Sequence, residues 1–276
     1  MLIDTHCHLL DGYVNTDDIA GMVQRARDAG VGALIVPCAD AVDAPKAVAL
    51  VEQYDNLYCM VGIHPEFAEK IKPSDATEDY KLYLAHPRVL GVGEIGLDYH
   101  DESPLAATAK PTKRRNAPRE AQIELFCAQL DIACDARLPV AIHSRRAQED
   151  TVKILCDPKY SNLGDGVPGV MHFHCMSWDF TKKLLDRGFY FSATGIITFK
   201  NADDIREVFR KLPADRIVIE TDAPWCAPVP YRGKVCEPFM IVETAKVLAR
   251  IRGVQLPELE NIMMGNTRRL YPKLEL

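Results

Sequence analysis

The chain has 276 residues, of which 47% are hydrophobic and 26% are charged, a composition typical of folded globular proteins rather than disordered ones. Its formal net charge of −6 would repel a polyanion at long range, so any nucleic-acid binding must depend on local basic patches or bound cations. No apolar run reaches the roughly 20 residues that span a bilayer. Nine scattered cysteines without a C-x-x-C pair favour a reducing compartment, and no signal peptide is visible, so we expect a cytoplasmic protein.

Short β-rich segments alternate with helical segments along the whole chain. The predicted strands are Leu2–His8, Ala33–Cys38, Leu57–Gly62, Val89–Glu94, Pro139–His143, Gly169–His174, Phe189–Ala193 and Ile217–Glu220. Apolar residues recur at helical spacing in Asp17–Ala29, Glu120–Ala136 and Trp178–Arg187. In Glu120–Ala136 the predicted apolar stripe is Ile123, Cys127, Leu130 and Cys134.

Eight strands with intervening helices predict a parallel sheet, and eight is the number that closes into a TIM barrel. A barrel of this kind needs roughly 250 residues, so we expect one (β/α)8 domain over residues 1–276. An open doubly wound sheet is the structural alternative. It is disfavoured because the first strand is followed by Asp4-Thr5-His6-Cys7-His8 and not by a glycine-rich nucleotide-binding motif.

Metal-ligating residue types stand where the predicted strands end. Because side chains alternate along a strand, His6 and His8 point the same way and Cys7 points the other way. Active sites of TIM barrels lie at the carboxyl ends of the strands. The predicted ligands at those ends are His6, His8, Glu94, His143, His174 and Asp222. Five strand ends of this kind predict a metal-dependent hydrolase far more strongly than the H-x-H pair alone.

Six ligands are too many for one tetrahedral ion and predict two divalent ions ~3.5–4 Å apart. Histidine with carboxylate favours zinc, manganese or iron, whereas magnesium, a further candidate, generally prefers oxygen alone. We expect Glu94 to bridge the ions, with His6, His8 and Asp222 on one ion, and with the other ion bound by His143 and His174. Water activated by the ions would be the nucleophile. Glu94 and Asp222 are the predicted catalytic residues, and Asp222 would orient the water and accept its proton.

Several neighbouring residues have competing interpretations. Asp4 is expected to hydrogen-bond backbone in the barrel, and Asp98 to be a turn residue. His64 is expected to contact substrate or to support the ligands. His172 is expected to point inward below the metals, as a buried hydrogen-bonded histidine and not as a ligand.

Two long segments follow predicted strands. Tyr99–Arg119 carries a basic cluster of Lys110, Lys113, Arg114, Arg115 and Arg119, and a segment of this length is either a functional lid or a surface loop. Arginines placed over a phosphate-cleaving site would bind phosphate oxygens in bidentate geometry, although solvated charge is the commoner role of such runs. Ala223–Pro238, rich in proline, precedes C-terminal helices that begin near Phe239.

With these residues the chain resembles the TatD family of metal-dependent deoxyribonucleases, within the amidohydrolase superfamily of TIM barrels. The similar motifs are Asp4 to His8, Gly93 to Tyr99, Pro139 to Arg145, His174-Cys175, Thr198 to Ala202, Glu220 to Pro224, Pro228 to Pro238 and Gly265 to Thr267. The resemblance implies two divalent metals at the residues above and nuclease activity on DNA, with 3′-to-5′ exonuclease character in some members. It also implies that Arg145, Arg232 and Lys234 contact the substrate.

Three positions depart from the family pattern. Glu66 stands where a second histidine is usual, Met176-Ser177-Trp178 replaces Phe-Ser-Gly, and Cys236 replaces asparagine. An acidic Glu66 near the metals would disfavour an incoming phosphate unless it points away or binds a cation. Trp178 would either stack on a base or cap the barrel.

The sequence therefore predicts a metal-dependent hydrolase that cleaves phosphodiester bonds, a deoxyribonuclease with DNA as its substrate. The alternatives are a hydrolase of another ester, such as aminoacyl-tRNA or a phosphomonoester, and an inactive barrel that only binds a partner. Neither a membrane nor an obligate protein partner is indicated.

Overall fold

The computed structural model describes residues 1–40, 42–71, 80–100 and 116–275. Within these residues eight parallel strands form one sheet whose spatial order follows the chain. The strands are β1 Leu2–Asp4, β2 Val31–Pro37, β3 Leu57–Val61, β4 Val89–Asp98, β5 Val140–Arg145, β6 Gly169–Met171, β7 Tyr190–Ala193 and β8 Ile217–Ile219. Their rows of Val, Ile, Leu and Ala are buried almost throughout, as expected for a parallel sheet covered on both faces.

The last strand returns to the first through hydrogen bonds just beyond their ends. Thr5 N donates to Ile219 O at 3.2 Å and Asp222 N donates to His6 O at 2.9 Å. A parallel bridge between Cys7 and Ala223 continues the contact. The prediction of a TIM barrel is therefore confirmed, and the two chain segments that carry His6, His8 and Asp222 lie side by side.

Helices cover the outside of the barrel. They are α1 Ile19–Asp28, α2 Asp43–Val51, α3 Arg119–Ala136, α4 Gln148–Leu155, α5 Trp178–Asp186, α6 Asp203–Lys211, α7 Ile241–Arg252 and α8 Leu256–Leu270, and residues 80–84 are also helical. No helix among the described residues is both long enough and apolar enough to cross a membrane. The stripe predicted for α3 is confirmed only in part: Leu130 is buried, whereas Ile123, Cys127 and Cys134 are half-buried. The buried face also includes Gln122 and Gln129.

The barrel interior is filled from its amino-terminal end. Inward side chains such as Ile35, Met60 and Tyr190 pack with Leu270 and Tyr271 from the C-terminal segment. The Tyr271 hydroxyl donates to the Met60 sulfur at 3.5 Å. Because this end is packed with apolar groups, polar chemistry is confined to the carboxyl ends of the strands.

Two strands approach unusually closely beneath those carboxyl ends. Gly96 of β4 lies opposite His143 of β5 and has a φ of +141°. A Cβ at this position would lie 2.0 Å from the carbonyl oxygen of His143. Glycine is therefore required here, and it lets β4 and β5 carry Glu94 and His143 side by side.

Candidate metal centre

The carboxylate of Glu94 lies at the centre of a buried group of histidines. Its Oε2 lies 3.3 Å from His6 Nε2 and 3.6 Å from His8 Nε2. Its Oε1 lies 2.7 Å from His143 Nδ1 and 3.5 Å from His172 Nε2. The two oxygens of one side chain thus face two different sets of nitrogens.

The first set comes from the chain beyond β1 and β8. The Nε2 atoms of His6 and His8 are 3.2 Å apart. Asp222 Oδ1 lies 3.9 and 3.7 Å from these two nitrogens. The backbone of Asp222 has a φ of +58°, and its N–H donates to His6 O. The carboxylate of Asp222 is therefore held beside His6 and His8.

The second set consists of two histidines that are each paired with a further carboxylate. His143 Nε2 lies 3.2 Å from Asp98 Oδ2, and His172 Nδ1 lies 2.9 Å from Glu220 Oε1. When a metal displaces the proton on the nitrogen that faces Glu94, the outer carboxylate, Asp98 or Glu220, keeps the remaining proton on the other ring nitrogen. This arrangement directs Nδ1 of His143 and Nε2 of His172 toward Glu94.

His174, predicted as a ligand, is not part of this group. Its Nε2 lies 2.8 Å from Thr181 Oγ1, and its ring packs 4.7 Å from the ring of Phe191. Strand β6 ends at Met171, and Phe173 has a φ of +45°, so the strand alternation that would place positions 172 and 174 on one face does not continue. His172, predicted to lie below the metals, takes the place assigned to His174. The first polar side chain after the apolar run Gly169–Met171 would have identified it.

The pKa values follow from burial and from these pairings. Burial lowers the pKa of His6 and lowers that of His8 further. Burial alone would also lower the pKa of His143 and His172, but carboxylates raise it to about 10 for His143, beside Asp98 and Glu94, and to about 9 for His172, beside Glu220 and Glu94.

The two carboxylates of the group respond in opposite ways. Burial would raise the pKa of Glu94, but His172, His6 and the hydrogen bond with His143 hold it well below the usual range. Burial raises the pKa of Asp222 well above its ordinary value, and Glu94 adds to this although His172 opposes it. Of these two carboxylates, Asp222 is therefore the one that holds a proton more readily.

These donors fit divalent metal ions. Within the described part of the chain, three groups have all their ligand atoms within 4.8 Å of one another: His6, His8 and Asp222; His6, Glu94 and His172; and His64, Glu94 and His143. Mixed imidazole and carboxylate donors suit zinc and manganese better than magnesium. Because Glu94 belongs to two groups, the donor set can serve more than one ion.

Two carboxylates outside the ligand set fix its framework. The Asp4 carboxylate accepts hydrogen bonds from Thr221 N at 2.9 Å, from the Thr221 hydroxyl and from His6 N at 3.3 Å, which confirms the backbone role predicted for it. Asp98 accepts from His100 N at 2.8 Å, as a turn residue would, but its other oxygen faces His143. The sequence interpretation of Asp98 as a turn residue was therefore incomplete.

The contacts of the predicted substrate-contacting residues differ from one residue to the next. His64 Nε2 lies 4.0 Å from Glu94 Oε1, while His64 Nδ1 accepts a hydrogen bond from Glu66 N at 3.3 Å. Arg145 ends β5 two residues after His143. The guanidinium of the exposed Arg232 lies 3.8 Å from the ring centroid of Phe199, and the exposed Lys234 lies 5.7 Å from the ring centroid of Tyr231. Most of Tyr99–Arg119, including Lys110, Lys113, Arg114 and Arg115, lies outside the described residues.

Aromatic contacts to the group were not predicted from the sequence. The ring of Tyr13 stacks on His8 at 5.0 Å, and Trp225 meets His8 edge-on at 4.9 Å. Both aromatic side chains are half-buried. Trp178, which the sequence suggested for base stacking or for capping the barrel, is the first residue of α5. The Nζ atom of Lys211 lies 5.8 Å from its ring centroid. Of the other two departures from the family pattern, Glu66 is half-buried next to His64 and Cys236 is fully buried.

Comparisons with known proteins find relatives that cover nearly the whole chain. The family of TatD-related DNases matches the chain over residues 3–272. The uncharacterized metal-dependent hydrolase YabD of Bacillus subtilis is 33% identical over 275 residues, covering 98% of this chain and 99% of YabD. The uncharacterized metal-dependent hydrolase YcfH of Escherichia coli is 34% identical over 272 residues, covering 98% of this chain and 95% of YcfH. The crystal structure of the TatD homologue YjjV from E. coli superposes with a TM-score of 0.85 and 30% identity, covering 98% of both chains.

Proposed function

Because this chain belongs to the TatD-related DNase family and is a metal-dependent hydrolase, we propose that it hydrolyses phosphodiester bonds and that DNA is its substrate. The observation that carries the proposal is the division of Glu94 between two sets of donors, with Oε2 facing His6 and Oε1 facing His143. A carboxylate shared in this way is suited to bridge two cations, an arrangement that recurs in enzymes that cleave phosphate esters.

His6, His8 and Asp222 would hold one divalent ion, His143 and His172 would hold a second, and Glu94 lies within reach of both groups. When bound, divalent ions at these positions would supply an acidified water and would neutralise charge on the phosphate oxygens. Because burial lowers the pKa of His6 and His8, both present neutral nitrogens. The carboxylates of Asp98 and Glu220 fix the ring orientation of the other two histidines.

Asp222 is assigned the proton transfer. Its Oδ1 lies within 3.7 to 3.9 Å of nitrogens from His6, His8 and His172, so it faces the space that these residues surround. In the metal-free protein burial raises its pKa, so this carboxylate takes up a proton more readily than an ordinary aspartate does. In the proposed reaction Asp222 orients the attacking water and takes its proton, and no side chain forms a covalent bond with the substrate.

Substrate contacts are proposed for residues at the edge of the site. Because His64 Nδ1 accepts from Glu66 N, a neutral His64 carries its proton on Nε2 and can donate to a phosphate oxygen. Arg145, Arg232 and Lys234 supply positive charge to a chain with a net charge of −6. The half-buried Tyr13 and Trp225 offer aromatic faces for an unstacked base, a contact worth roughly 1–3 kcal/mol where it occurs. A frayed strand end can present such a base, so we expect a preference for single-stranded DNA ends.

The test is a screen of metals against substrates on the purified protein after removal of metals by a chelator. Zinc, manganese and magnesium are each added back with single-stranded DNA, duplex DNA, RNA, aminoacyl-tRNA and a small phosphomonoester. We expect the fastest turnover on single-stranded DNA with a metal that binds the histidine set. Faster turnover of aminoacyl-tRNA or of the phosphomonoester would contradict the proposed substrate and leave the hydrolase class intact.

A Glu94→Gln variant tests the shared carboxylate, because it retains the shape of the side chain and loses its charge. We expect it to bind less metal and to lose at least about 100-fold in turnover. In oxygen-18 water the wild-type protein should place the label in the released phosphate group within one turnover. A trapped phosphoryl-protein would refute direct attack by water, and a fully active Glu94→Gln variant would refute the bridging role.

A further inference from the structure

The inner face of α3 carries two buried glutamines, although apolar residues were expected there. Gln122 and Gln129 are 1% and 0% exposed. They are seven residues apart, which places them on one face of the helix about 10.5 Å from each other along its axis. A buried amide is retained at little cost only when its donors and its acceptor are hydrogen-bonded.

The side-chain amide of Gln129 forms hydrogen bonds with both the N–H and the C=O of Ile63. Its Oε1 accepts from Ile63 N at 2.7 Å, and its Nε2 donates to Ile63 O at 3.0 Å. Ile63 follows the end of β3 and directly precedes His64. The side chain of Gln129 thus takes the place of a neighbouring strand for the one residue that leads into His64.

Gln122 binds the end of β4 in the same way. Its Oε1 accepts from Asp98 N at 2.8 Å, and its Nε2 donates to Asp98 O and to Ala117 O, both at 2.8 Å. Asn116 Nδ2 also donates to Asp98 Oδ1 at 3.2 Å. The backbone and the carboxylate of Asp98 are therefore held in place while its other oxygen faces His143 Nε2.

We infer that Gln122 and Gln129 are positioning residues of the metal centre, and that α3 sets the places of Asp98 and His64 on either side of the pair formed by Glu94 and His143. Gln122 acts through Asp98, which fixes the proton of His143 on Nε2 and directs Nδ1 toward Glu94. Gln129 acts through the backbone at Ile63, which sets where Nε2 of His64 lies. The inference rests on the proposed role of His143 as a metal ligand.

The two glutamines should differ in what they control. Removing a group that orients a metal-binding histidine typically weakens metal affinity 10- to 100-fold, so Gln122→Met should weaken metal binding to that extent. Gln129→Met should leave metal binding at the wild-type level and should raise the KM for an oligonucleotide severalfold, with a smaller change in kcat. We thus expect the Gln122 variant to change metal affinity and the Gln129 variant to change KM. A general loss of packing would not separate these two effects.

The experiment measures metal content by elemental analysis and metal affinity by calorimetry on the full chain, with zinc as the probe. Leu125→Ala is the matched control, because Leu125 is a buried residue between the two glutamines on the same helix. Its loss lowers stability and removes no hydrogen bond, since its side chain has no polar atom. We expect this control to unfold more easily and to bind zinc as the wild type does. If Gln122→Met does not fold, Gln122→Glu replaces it, since this variant keeps the acceptor for Asp98 N and loses the donor to Asp98 O.

His143→Ala separates failure of the inference from failure of the proposed site. If His143→Ala binds zinc normally, the ligand assignment is wrong. If His143→Ala loses zinc while the Gln122 variant binds it as tightly as the wild type, the positioning role of Gln122 is overturned. An equal loss of zinc affinity in Leu125→Ala would also overturn the inference, because the effect would then belong to packing of the helix in general.

Discussion

Two histidines on the same strand end provide a matched test of the metal centre. His172 and His174 are 6% and 3% exposed, so replacing either one by alanine removes a buried imidazole of the same size. His172 Nε2 faces Glu94, whereas His174 Nε2 faces the hydroxyl of Thr181. We therefore expect His172→Ala to lose metal affinity and His174→Ala to lose stability only.

The magnitudes follow from the contacts of each ring. For His174→Ala, loss of the hydrogen bond to Thr181 costs about 1 kcal/mol. A cavity of roughly 60 Å³ adds about 1.4 kcal/mol at about 24 cal/mol per Å³. The free energy of unfolding should thus fall by about 2–3 kcal/mol in the metal-free state. For His172→Ala, loss of a ligand should weaken metal binding at least about 100-fold, which corresponds to about 2.7 kcal/mol of binding free energy.

The assay is thermal unfolding of chelator-treated protein with and without added zinc. A metal at about 100 times its Kd stabilises the folded state by about 2.7 kcal/mol. The same concentration after a 100-fold loss of affinity stabilises it by only about 0.4 kcal/mol. His174→Ala should therefore keep the zinc-induced rise in Tm, and His172→Ala should lose most of it. The reverse pattern would refute the placement of His172 in the site and restore the sequence-based choice of His174.

Three further predictions follow from the same geometry. The pKa is raised to about 10 for His143 and to about 9 for His172, so both side chains are protonated at pH 7 and metal binding must displace a proton from each. Calorimetry in buffers of different ionisation enthalpy should therefore show proton release on zinc binding. The zinc affinity should fall as the pH is lowered from 9 to 6. Asp4→Ala should lower the free energy of unfolding by about 3 kcal/mol or more in chemical denaturation, because each buried donor left unsatisfied costs about 1–3 kcal/mol, and an unchanged stability would contradict the contacts described for Asp4. Trp225→Ala should raise the KM for single-stranded DNA and leave the KM for a small phosphodiester unchanged; equal effects on both substrates would exclude base stacking.

Much of the site could be predicted, because the alternation of side chains along a strand and the order of strands in a barrel can both be inferred from short stretches of sequence. His6 and His8 are two residues apart on an extended segment, and the structure brings both beside Glu94 as predicted. Strands β4 and β5, together with the segment after β8, likewise place Glu94, His143 and Asp222 in one group. The prediction failed at β6, where the left-handed backbone of Phe173 ends the alternation.

The sequence by itself determined the barrel and most of the candidate donors, because the spacing of apolar runs and the residue types near strand ends are local properties of the chain. Only the tertiary structure decided which histidine of β6 faces Glu94, since that choice depends on where β6 stops pairing with its neighbours. It also decided the partners of each donor, such as Glu220 beside His172 and Asp98 beside His143. These pairs join residues 48 and 45 positions apart, and such long-range contacts exist only when the barrel has closed.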